Sequence, residues 1–230
     1  MPTKKPNSPQ NPTALNTLTV VKHPLIADRM RILRDTSTGR GEFREASRQL
    51  TALLIPAATQ DLSITWESVN TPLATTSAAR TNDSQIVVTP ILRAGLVMAD
   101  AVCELIPKSA TAHVGIRRDP NTHKPVRYLT RLPESCDSYH IVVDPMLATG
   151  GSAIEAIRVI KDHYYRDCIS IRLLCLVAAP EGVSAMATTH PDVHVFTASL
   201  DEGLDDNFYI IPGLGDAGDR AFGTEKRPPP

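Results

Sequence analysis

Short apolar runs alternate along this chain with segments in which apolar residues recur at helical spacing. The apolar runs predict strands at residues 85–89, 112–116, 141–143, 169–177 and 193–196. The helical spacing predicts helices at residues 95–105, 152–164 and 182–189. Strands that are apolar throughout and are joined by helices are typical of a parallel sheet covered on both faces. We therefore predict an α/β fold in which helices flank a parallel sheet.

The first third of the chain predicts two helices and a hairpin. From residue 25, Ile26, Met30 and Leu33 fall on one helical face. A second helix, at residues 42–54, is expected to direct inward the side chains of Phe43, Ala46, Leu50 and Leu53. Residues 62–66 alternate between polar and apolar side chains, and residues 71–76 could return beside them. This pattern predicts a β-hairpin arm that protrudes from the core.

Composition limits the kind of protein this can be. The 230 residues suit one α/β domain, which we place at residues 17–224, between a disordered tail at 1–16 and a second tail at 225–230. The formal net charge of -1 gives no electrostatic case for nucleic acid or membrane as a partner. The longest apolar run, residues 173–179, is too short to span a membrane. Irregularly spaced cysteines predict neither disulfides nor a zinc site, so we expect a cytoplasmic protein.

Residues 141–154 are the most informative segment, because an apolar strand passes there through small and hydroxylated residues into a helix. The lack of a Cβ at Gly150 and Gly151 lets a ligand approach the backbone. The N–H groups of this turn and the positive end of the following helix favour a dianionic phosphate. Asp144, at the end of the strand, can accept hydrogen bonds from sugar hydroxyls. We call residues 148–152 the phosphate loop; the alternative is an ordinary glycine-rich turn.

Arginines lie in two further loops at the ends of predicted strands. Arg93 belongs to residues 89–95, the arginine turn, where its guanidinium can bind diphosphate oxygens; a solvated or ion-paired arginine is the alternative. Residues 116–125 are polar and rich in turn residues, which is typical of a mobile flap or of an ordinary surface loop. This segment carries Arg117 and Arg118.

Glycines are concentrated near the end of the chain. Gly213, Gly215 and Gly218 predict that residues 207–220 have an irregular backbone that is neither strand nor helix. We call residues 213–218 the glycine bend. A generic glycine loop is the alternative, and a closely approached binding loop is the functional interpretation.

Together these segments resemble the type I phosphoribosyltransferases, and within them the uracil phosphoribosyltransferase family, from about residue 21 to residue 223. The run Asp-Pro-Met-Leu-Ala-Thr-Gly-Gly-Ser is similar to the family's signature for phosphoribosyl pyrophosphate (PRPP). The broader family has two adjacent acids where this chain has Asp144 and Pro145. Pro-Ile-Leu-Arg-Ala-Gly resembles the diphosphate loop, and residues 207–220 resemble the uracil loop. The family flap commonly reads Tyr-Arg-Asn, whereas this chain has Arg117, Arg118 and Asp119.

The resemblance implies a role for individual residues. Those implied to bind PRPP are Arg93, Arg118, Asp144, Pro145, Met146, Leu147, Ala148, Thr149, Gly150, Gly151, Ser152 and Asp216. Those implied to bind uracil are Tyr209, Ile210, Gly215, Asp216 and Ala217, with backbone groups presented by Ile210, Gly215 and Ala217. The residues implied to be catalytic are Arg93, Arg118, Asp144 and Asp216.

The implied fold is that of the type I phosphoribosyltransferases, with a C-terminal base-recognition loop. The implied reaction is uracil plus PRPP giving UMP and diphosphate, a step of pyrimidine salvage. Main-chain groups can match the acceptor–donor–acceptor edge of uracil and leave cytosine's edge unpaired. No residue cluster has the spacing of a direct metal site, so we expect PRPP to carry Mg²⁺. Asp216 is a candidate for contacting that ion through water.

The resemblance also implies a homodimer or homotetramer and, as in some relatives, activation by GTP. The basic helix at residues 29–34 could contribute to a GTP site. A different hypothesis is a non-catalytic regulator that senses PRPP on the same fold. Such a regulator should lack the leaving-group arginine or the base loop, or carry a basic surface. A phosphoribosyltransferase for purine bases conflicts with the run Gly-Leu-Gly-Asp-Ala-Gly-Asp at residues 213–219.

Overall fold

The computed structural model describes residues 17–118, 125–134, 139–164 and 170–224, apart from the side chains of Asp83 and Arg118. The tails expected at residues 1–16 and 225–230 lie outside these ranges, as do flap residues 119–124. The strands are β1 (Leu18–Val20), β2 (Ile64–Asn70), β3 (Thr75–Thr81), β4 (Ile86–Leu92), β5 (Ala110–Thr111), β6 (His113–Arg118), β7 (Pro125–Arg131), β8 (Tyr139–Val143), β9 (Met146–Leu147), β10 (Ser170–Ala178), β11 (His194–Leu200), β12 (Gly203–Leu204) and β13 (Ile210–Ile211). The helices are α1 (Pro24–Arg34), α2 (Arg40–Ala58), α3 (Leu96–Leu105), α4 (Gly151–Tyr164), α5 (Pro180–Thr189) and α6 (Ala217–Phe222).

The central sheet has the order β1–β11–β10–β8–β4–β6–β7, with β5 beside β4 and β9 beside β10. Its strand pairs are parallel, apart from the antiparallel pair β6–β7. Because β4, β8 and β10 are neighbours and run in one direction, their carboxyl ends meet at the same edge. Ligands of open α/β sheets bind at that edge. The predicted α/β fold is confirmed.

Helices cover both faces of the sheet, so successive residues of a central strand are all buried. In β8, Ile141 and Val143 pack in the layer formed by α1, α2, α3 and α6, which includes Leu33. Val142, between them, packs against α4 and α5, beside Ile157. Strand side chains alternate between faces, so a sheet buried on both faces needs apolar residues at every position. Within the described ranges, no helix has the length and apolar surface that a bilayer span requires.

The predicted N-terminal helices are confirmed with changed bounds. Helix α1 buries Ile26, Met30 and Leu33 as expected. Helix α2 is longer than predicted at both ends, since it follows Gly39 and continues through Pro56. Leu54 lies fully in the core, whereas Leu53, predicted to point inward, is only partly buried.

A two-stranded antiparallel sheet, β2 with β3, forms the expected hairpin. Both strands extend beyond the predicted segments 62–66 and 71–76. The hairpin is exposed on both faces, and Trp66 and Leu73 are 67% and 96% exposed. Strand bounds were hard to predict here because neither face is buried, so no apolar pattern marks where pairing ends.

Candidate active site

The segment after β8 has the strand–loop–helix geometry that its sequence predicts. The N–H of Asp144 donates to the Leu174 carbonyl at 3.1 Å, which keeps this residue in line with the strand. The next two residues of the cavity wall form the short strand β9, which pairs with β10. The chain then turns at Gly150 and enters α4. The first intrahelical bond joins the N–H of Ile154 to the Gly150 carbonyl at 2.9 Å. Helix geometry leaves the preceding N–H groups without intrahelical acceptors, and such groups favour anions.

Two glycines shape the phosphate loop for different reasons, one within the loop and one on α5. Gly150 has φ +83°, a left-handed conformation that glycine adopts without strain. Gly182, at the start of α5, packs so closely that a Cβ would lie 2.5 Å from the Ala148 carbonyl oxygen. At Gly151, by contrast, a Cβ would meet no atom of the described chain closer than 3.7 Å. The backbone conformation therefore explains Gly150 and close packing explains Gly182, whereas a side chain at Gly151 would have room.

The arginine turn follows β4 and packs against the end of β8. A Cβ on Gly95 would lie 2.7 Å from the Ile91 backbone nitrogen and would overlap the Val143 carbonyl oxygen. The Leu92–Arg93 peptide is cis. The exposed side chain of Arg93 is within 3.5 Å of the Thr224 hydroxyl. Glycine thus lets this turn approach the strand that leads to the phosphate loop.

Residues 207–220 contain more regular structure than predicted. The expectation that this segment is neither strand nor helix is wrong, because it contains β13 and α6 begins within it. The Asp216 carboxylate caps α6 by accepting from the Asp219 N–H at 2.9 Å, and Gly223 ends the helix in a left-handed conformation. An acidic N-cap and a C-terminal glycine are helix signals, which the density of glycines obscured.

These three loops meet in one cavity of about 670 Å³. The predicted site residues that line it are Arg93, Asp144, Met146, Leu147, Ala148, Gly150, Gly151, Ser152, Tyr209, Gly215, Asp216 and Ala217. Anion-binding, acidic and base-recognition candidates from distant parts of the chain are therefore brought together at the carboxyl edge of the sheet.

Three predicted site residues do not line the cavity. Pro145 is buried, and its carbonyl oxygen accepts from β10. Ile210 is 3% exposed as a whole residue and is not in the cavity wall. Thr149 lies in the phosphate loop but is not in the cavity wall. Of the flap arginines, Arg117 lines the cavity, whereas the side chain of Arg118 lies outside the described atoms.

The chain matches a known family over nearly its whole described length. The model of the family described as uracil phosphoribosyltransferase covers residues 20–224. The chain belongs to the uracil phosphoribosyltransferase family. A uracil phosphoribosyltransferase of Dictyoglomus turgidum is 47% identical over 207 residues, 90% of this chain and 99% of the relative. One from Macrococcus caseolyticus is 48% identical over 207 residues, covering 90% and 98%.

Solved structures support the fold of this uracil phosphoribosyltransferase family member. The structure of AQ2163 protein from Aquifex aeolicus matches with a TM-score of 0.85 at 32% identity, covering 91% of this chain and 100% of that one. Adenine phosphoribosyl transferase from Trypanosoma brucei matches with a TM-score of 0.53 at 9% identity, covering 84% and 87%. The second likeness concerns the fold alone. The predicted type I phosphoribosyltransferase fold is confirmed.

Among the residues that line the cavity of this family member, Tyr128, Asn207 and Phe208 were not predicted as site residues. Tyr128 on β7 packs over Gly115, where a Cβ would lie 2.7 Å from the tyrosine ring. Asn207 and Phe208 lie beside the predicted Tyr209, and Phe208 has φ 64°, which is uncommon for an aromatic residue. Adjacency to Tyr209 could have indicated these two. Tyr128 reaches the cavity only through the antiparallel pairing of β6 with β7, which no local pattern reveals.

The buried cysteine of β10 is not a candidate nucleophile. Cys175 lies on β10 and is fully buried. Burial raises the pKa of its thiol to about 12, so it stays protonated at neutral pH and cannot act as a nucleophile. Among the described residues, no group of three or more His, Cys, Asp or Glu could hold a metal ion.

Proposed function

We propose that this chain transfers the phosphoribosyl group of PRPP to uracil, giving UMP and diphosphate. The observation that carries the proposal is the single cavity shared by the phosphate loop, the arginine turn and the glycine bend. The relatives that are 47% and 48% identical carry the name of this activity. A cavity of about 670 Å³ is also of the size that small-molecule sites have.

The phosphate end of PRPP binds at the phosphate loop in this proposal. The start of α4 supplies N–H groups and the positive end of a helix dipole, and Ser152 adds a hydroxyl donor. Asp144 follows β8 at the cavity wall and accepts hydrogen bonds from the ribose hydroxyls. Arg93 and Arg118 bind the diphosphate that leaves. Either Arg117 or Arg118 can serve at the flap, and Arg117 is the one with a described position in the wall.

The glycine bend recognises uracil through its main chain. Gly215 and Ala217 line the cavity, and the family resemblance assigns a main-chain contact to Ile210 as well. Backbone groups cannot rearrange their hydrogen-bonding pattern, so cytosine would leave polar groups unpaired, which is costly in a desolvated site. Tyr209 contributes an aromatic surface beside the base.

Magnesium fits the donor set of the cavity as an ion that PRPP carries. Asp144 and Asp216 are the acidic side chains among the described lining residues. Two carboxylates suit a hard cation that keeps its own waters and substrate oxygens as ligands. One oxygen of Asp216 already caps α6, which leaves the other for a water-mediated contact. When bound, Mg²⁺ would neutralise charge on the diphosphate oxygens.

The chemistry asked of the protein is alignment and charge stabilisation. The N1–C1′ bond of UMP forms as the bond from C1′ to the diphosphate oxygen breaks, and the N1 proton passes to the released diphosphate or to solvent. Arg93 neutralises the charge that develops on diphosphate, and Asp144 stabilises positive charge on the ribose ring. Holding both substrates in one cavity replaces a collision with an oriented encounter.

The test is a product assay with uracil, cytosine and hypoxanthine offered in parallel with PRPP and Mg²⁺. We expect UMP from uracil alone. Transfer to hypoxanthine, or no transfer to any base, would contradict the proposal. PRPP binding without transfer would favour the regulator hypothesis, which nothing in the structure supports, because Arg93 and the glycine bend both line the cavity.

Activation by GTP and self-association stay hypotheses that the resemblance implies. Arg34, one of the arginines considered for GTP, is bonded to Asp201, which leaves Arg29 and Arg31 on the surface of α1. Initial rates with and without GTP test the first hypothesis. The exposed apolar side chains of the hairpin, Trp66 among them, favour a dimer or tetramer, which sedimentation of the intact chain would measure.

A further inference from the structure

An ion pair outside the cavity holds the start of the glycine bend. The Asp201 carboxylate accepts from both terminal nitrogens of Arg34, at 2.6 and 2.8 Å, and from the N–H of Gly213 at 2.9 Å. Arg34 also donates to the Gly213 carbonyl oxygen at 2.8 Å. Ser199 donates to Asp201 at 2.7 Å and accepts from Arg34 at 3.0 Å. Both main-chain polar groups of Gly213 are therefore bonded to one ion pair.

The residue after Gly213 is held from the same side. Arg220 donates to the Leu214 carbonyl oxygen at 2.8 Å and to two carbonyl oxygens at the end of α1. Gly213 itself has φ 60°, and a Cβ there would overlap a backbone carbonyl oxygen. The two residues before Gly215 are thus fixed to α1, and Gly215 lines the cavity. Any shift of Gly213 is passed along the main chain directly to the base-recognition groups.

The ion pair is shielded from water, which strengthens its hold on the backbone. The side chain of Asp201 is 2% exposed and that of Arg34 is 27% exposed. Burial by itself would raise the pKa of Asp201, but hydrogen bonds from Arg34, Ser199 and Gly213 outweigh burial and lower that pKa. The carboxylate is therefore ionised at neutral pH. Hydrogen bonds to charged groups in a low-dielectric environment are stronger and more directional than surface contacts.

We propose that the Arg34–Asp201 ion pair positions the glycine bend, so that uracil affinity and base selectivity depend on two side chains that do not line the cavity. The inference rests on the proposed function, since it concerns the base half of that site. Arg34 and Asp201 are positioning residues, because they act through the main chain of Gly213. The PRPP half, on the phosphate loop and the arginine turn, has no contact with this pair in the described residues.

The test measures the KM for uracil and for PRPP separately in Asp201→Asn. This change keeps the shape of the side chain but removes the charge that holds Arg34. We expect the uracil KM to rise about tenfold or more, because small displacements of positioning groups are costly. The PRPP KM should stay within about twofold of wild type, because the substitution leaves the contacts that bind PRPP unchanged. The preference for uracil over cytosine should fall.

A matched control is Asp192→Asn, which breaks the ion pair of Lys161 with Asp192. That pair has the same N–O distance of 2.6 Å. Asp192 lies just before β11, at the amino edge of the sheet and away from the cavity. Because the side chain of Asp192 is 63% exposed, Asp192→Asn should change stability little and leave both KM values unchanged. The comparison separates positioning of the glycine bend from the loss of an ion pair elsewhere in the protein.

If Asp201→Asn does not fold, Arg34→Lys provides the measurement, since it keeps the charge but cannot bridge Asp201 and the Gly213 carbonyl together. It too should raise the uracil KM alone. Folded variants whose uracil KM is unchanged, or whose two KM values rise in equal proportion, would overturn the inference. Wild-type protein that forms no UMP would refute the proposed function instead, so the two failures are distinguishable.

Discussion

A buried histidine in β8 should make the stability of this protein depend on pH. His140 is fully buried, its Nδ1 lies 3.3 Å from the Thr89 hydroxyl, and its Nε2 has no hydrogen-bond partner among the described residues. Burial, and to a lesser extent the nearby His163, lowers the pKa of His140 from 6.5 to about 4. The imidazole is therefore neutral in the folded protein under conditions in which the unfolded chain is protonated.

The sign and the size of the effect follow from that difference. Between pH 6.5 and about pH 4 the unfolded state binds more protons, so the free energy of unfolding falls as the pH falls. Each tenfold change in proton affinity is worth about 1.4 kcal/mol, so His140 contributes roughly 3 kcal/mol that is fully present above pH 6.5 and lost towards pH 4.

Urea unfolding followed by circular dichroism, across this pH range, measures the prediction. His140→Leu should flatten the pH dependence by roughly 3 kcal/mol relative to wild type. Thr89→Val is the matched control, because it alters the same contact but keeps the imidazole, and its pH dependence should match wild type. Burial also lowers the pKa of His194, but that residue is common to all three proteins. An undiminished pH dependence in His140→Leu would refute the reasoning.

Three further predictions concern the cavity. Arg93→Ala should lower kcat/KM for UMP formation from radiolabelled uracil by about a hundredfold or more, while the unfolding midpoint stays unchanged; near-normal turnover would remove Arg93 from the site. Gly182→Ala, whose new Cβ would lie 2.5 Å from a phosphate-loop carbonyl, should weaken PRPP binding in calorimetry, whereas Gly41→Ala, with nothing within 4 Å, should not. Gly215→Val, at φ 76°, should raise the uracil KM far more than Ile210→Val; equal tolerance would place the bend outside the site.

The parts of the site that the sequence predicted best are those in which one continuous segment makes the structure. The phosphate loop follows from an apolar strand, a glycine turn and a helical pattern within residues 141–154, all of which are local. The observed starts of these segments differ from the predicted ones by one or two residues. The predicted strand at 141–143 lies within β8, and the helix predicted from residue 152 begins at Gly151.

The parts that were not predicted depend on contacts between distant residues. The packing of Gly182 on the phosphate loop brings together the starts of two helices on the same face of the sheet. Arg34 was considered only as part of a basic helix that could bind GTP, yet it pairs with Asp201, which lies 167 positions later in the chain. Helix α6 was missed because glycine density was given more weight than its caps. Periodicity reports which face is buried, but it does not report which partner a buried charge will meet.

The exposed hairpin carries Trp66, and the sequence contains a single tryptophan. Because Trp66 is 67% exposed, its fluorescence emission should be at the long-wavelength end of the tryptophan range and easily quenched by iodide. Any surface that comes to cover the hairpin would shift the emission to shorter wavelength and protect it from quenching. The protein thus contains a label-free optical reporter for encounters at the hairpin, whose residues do not line the cavity.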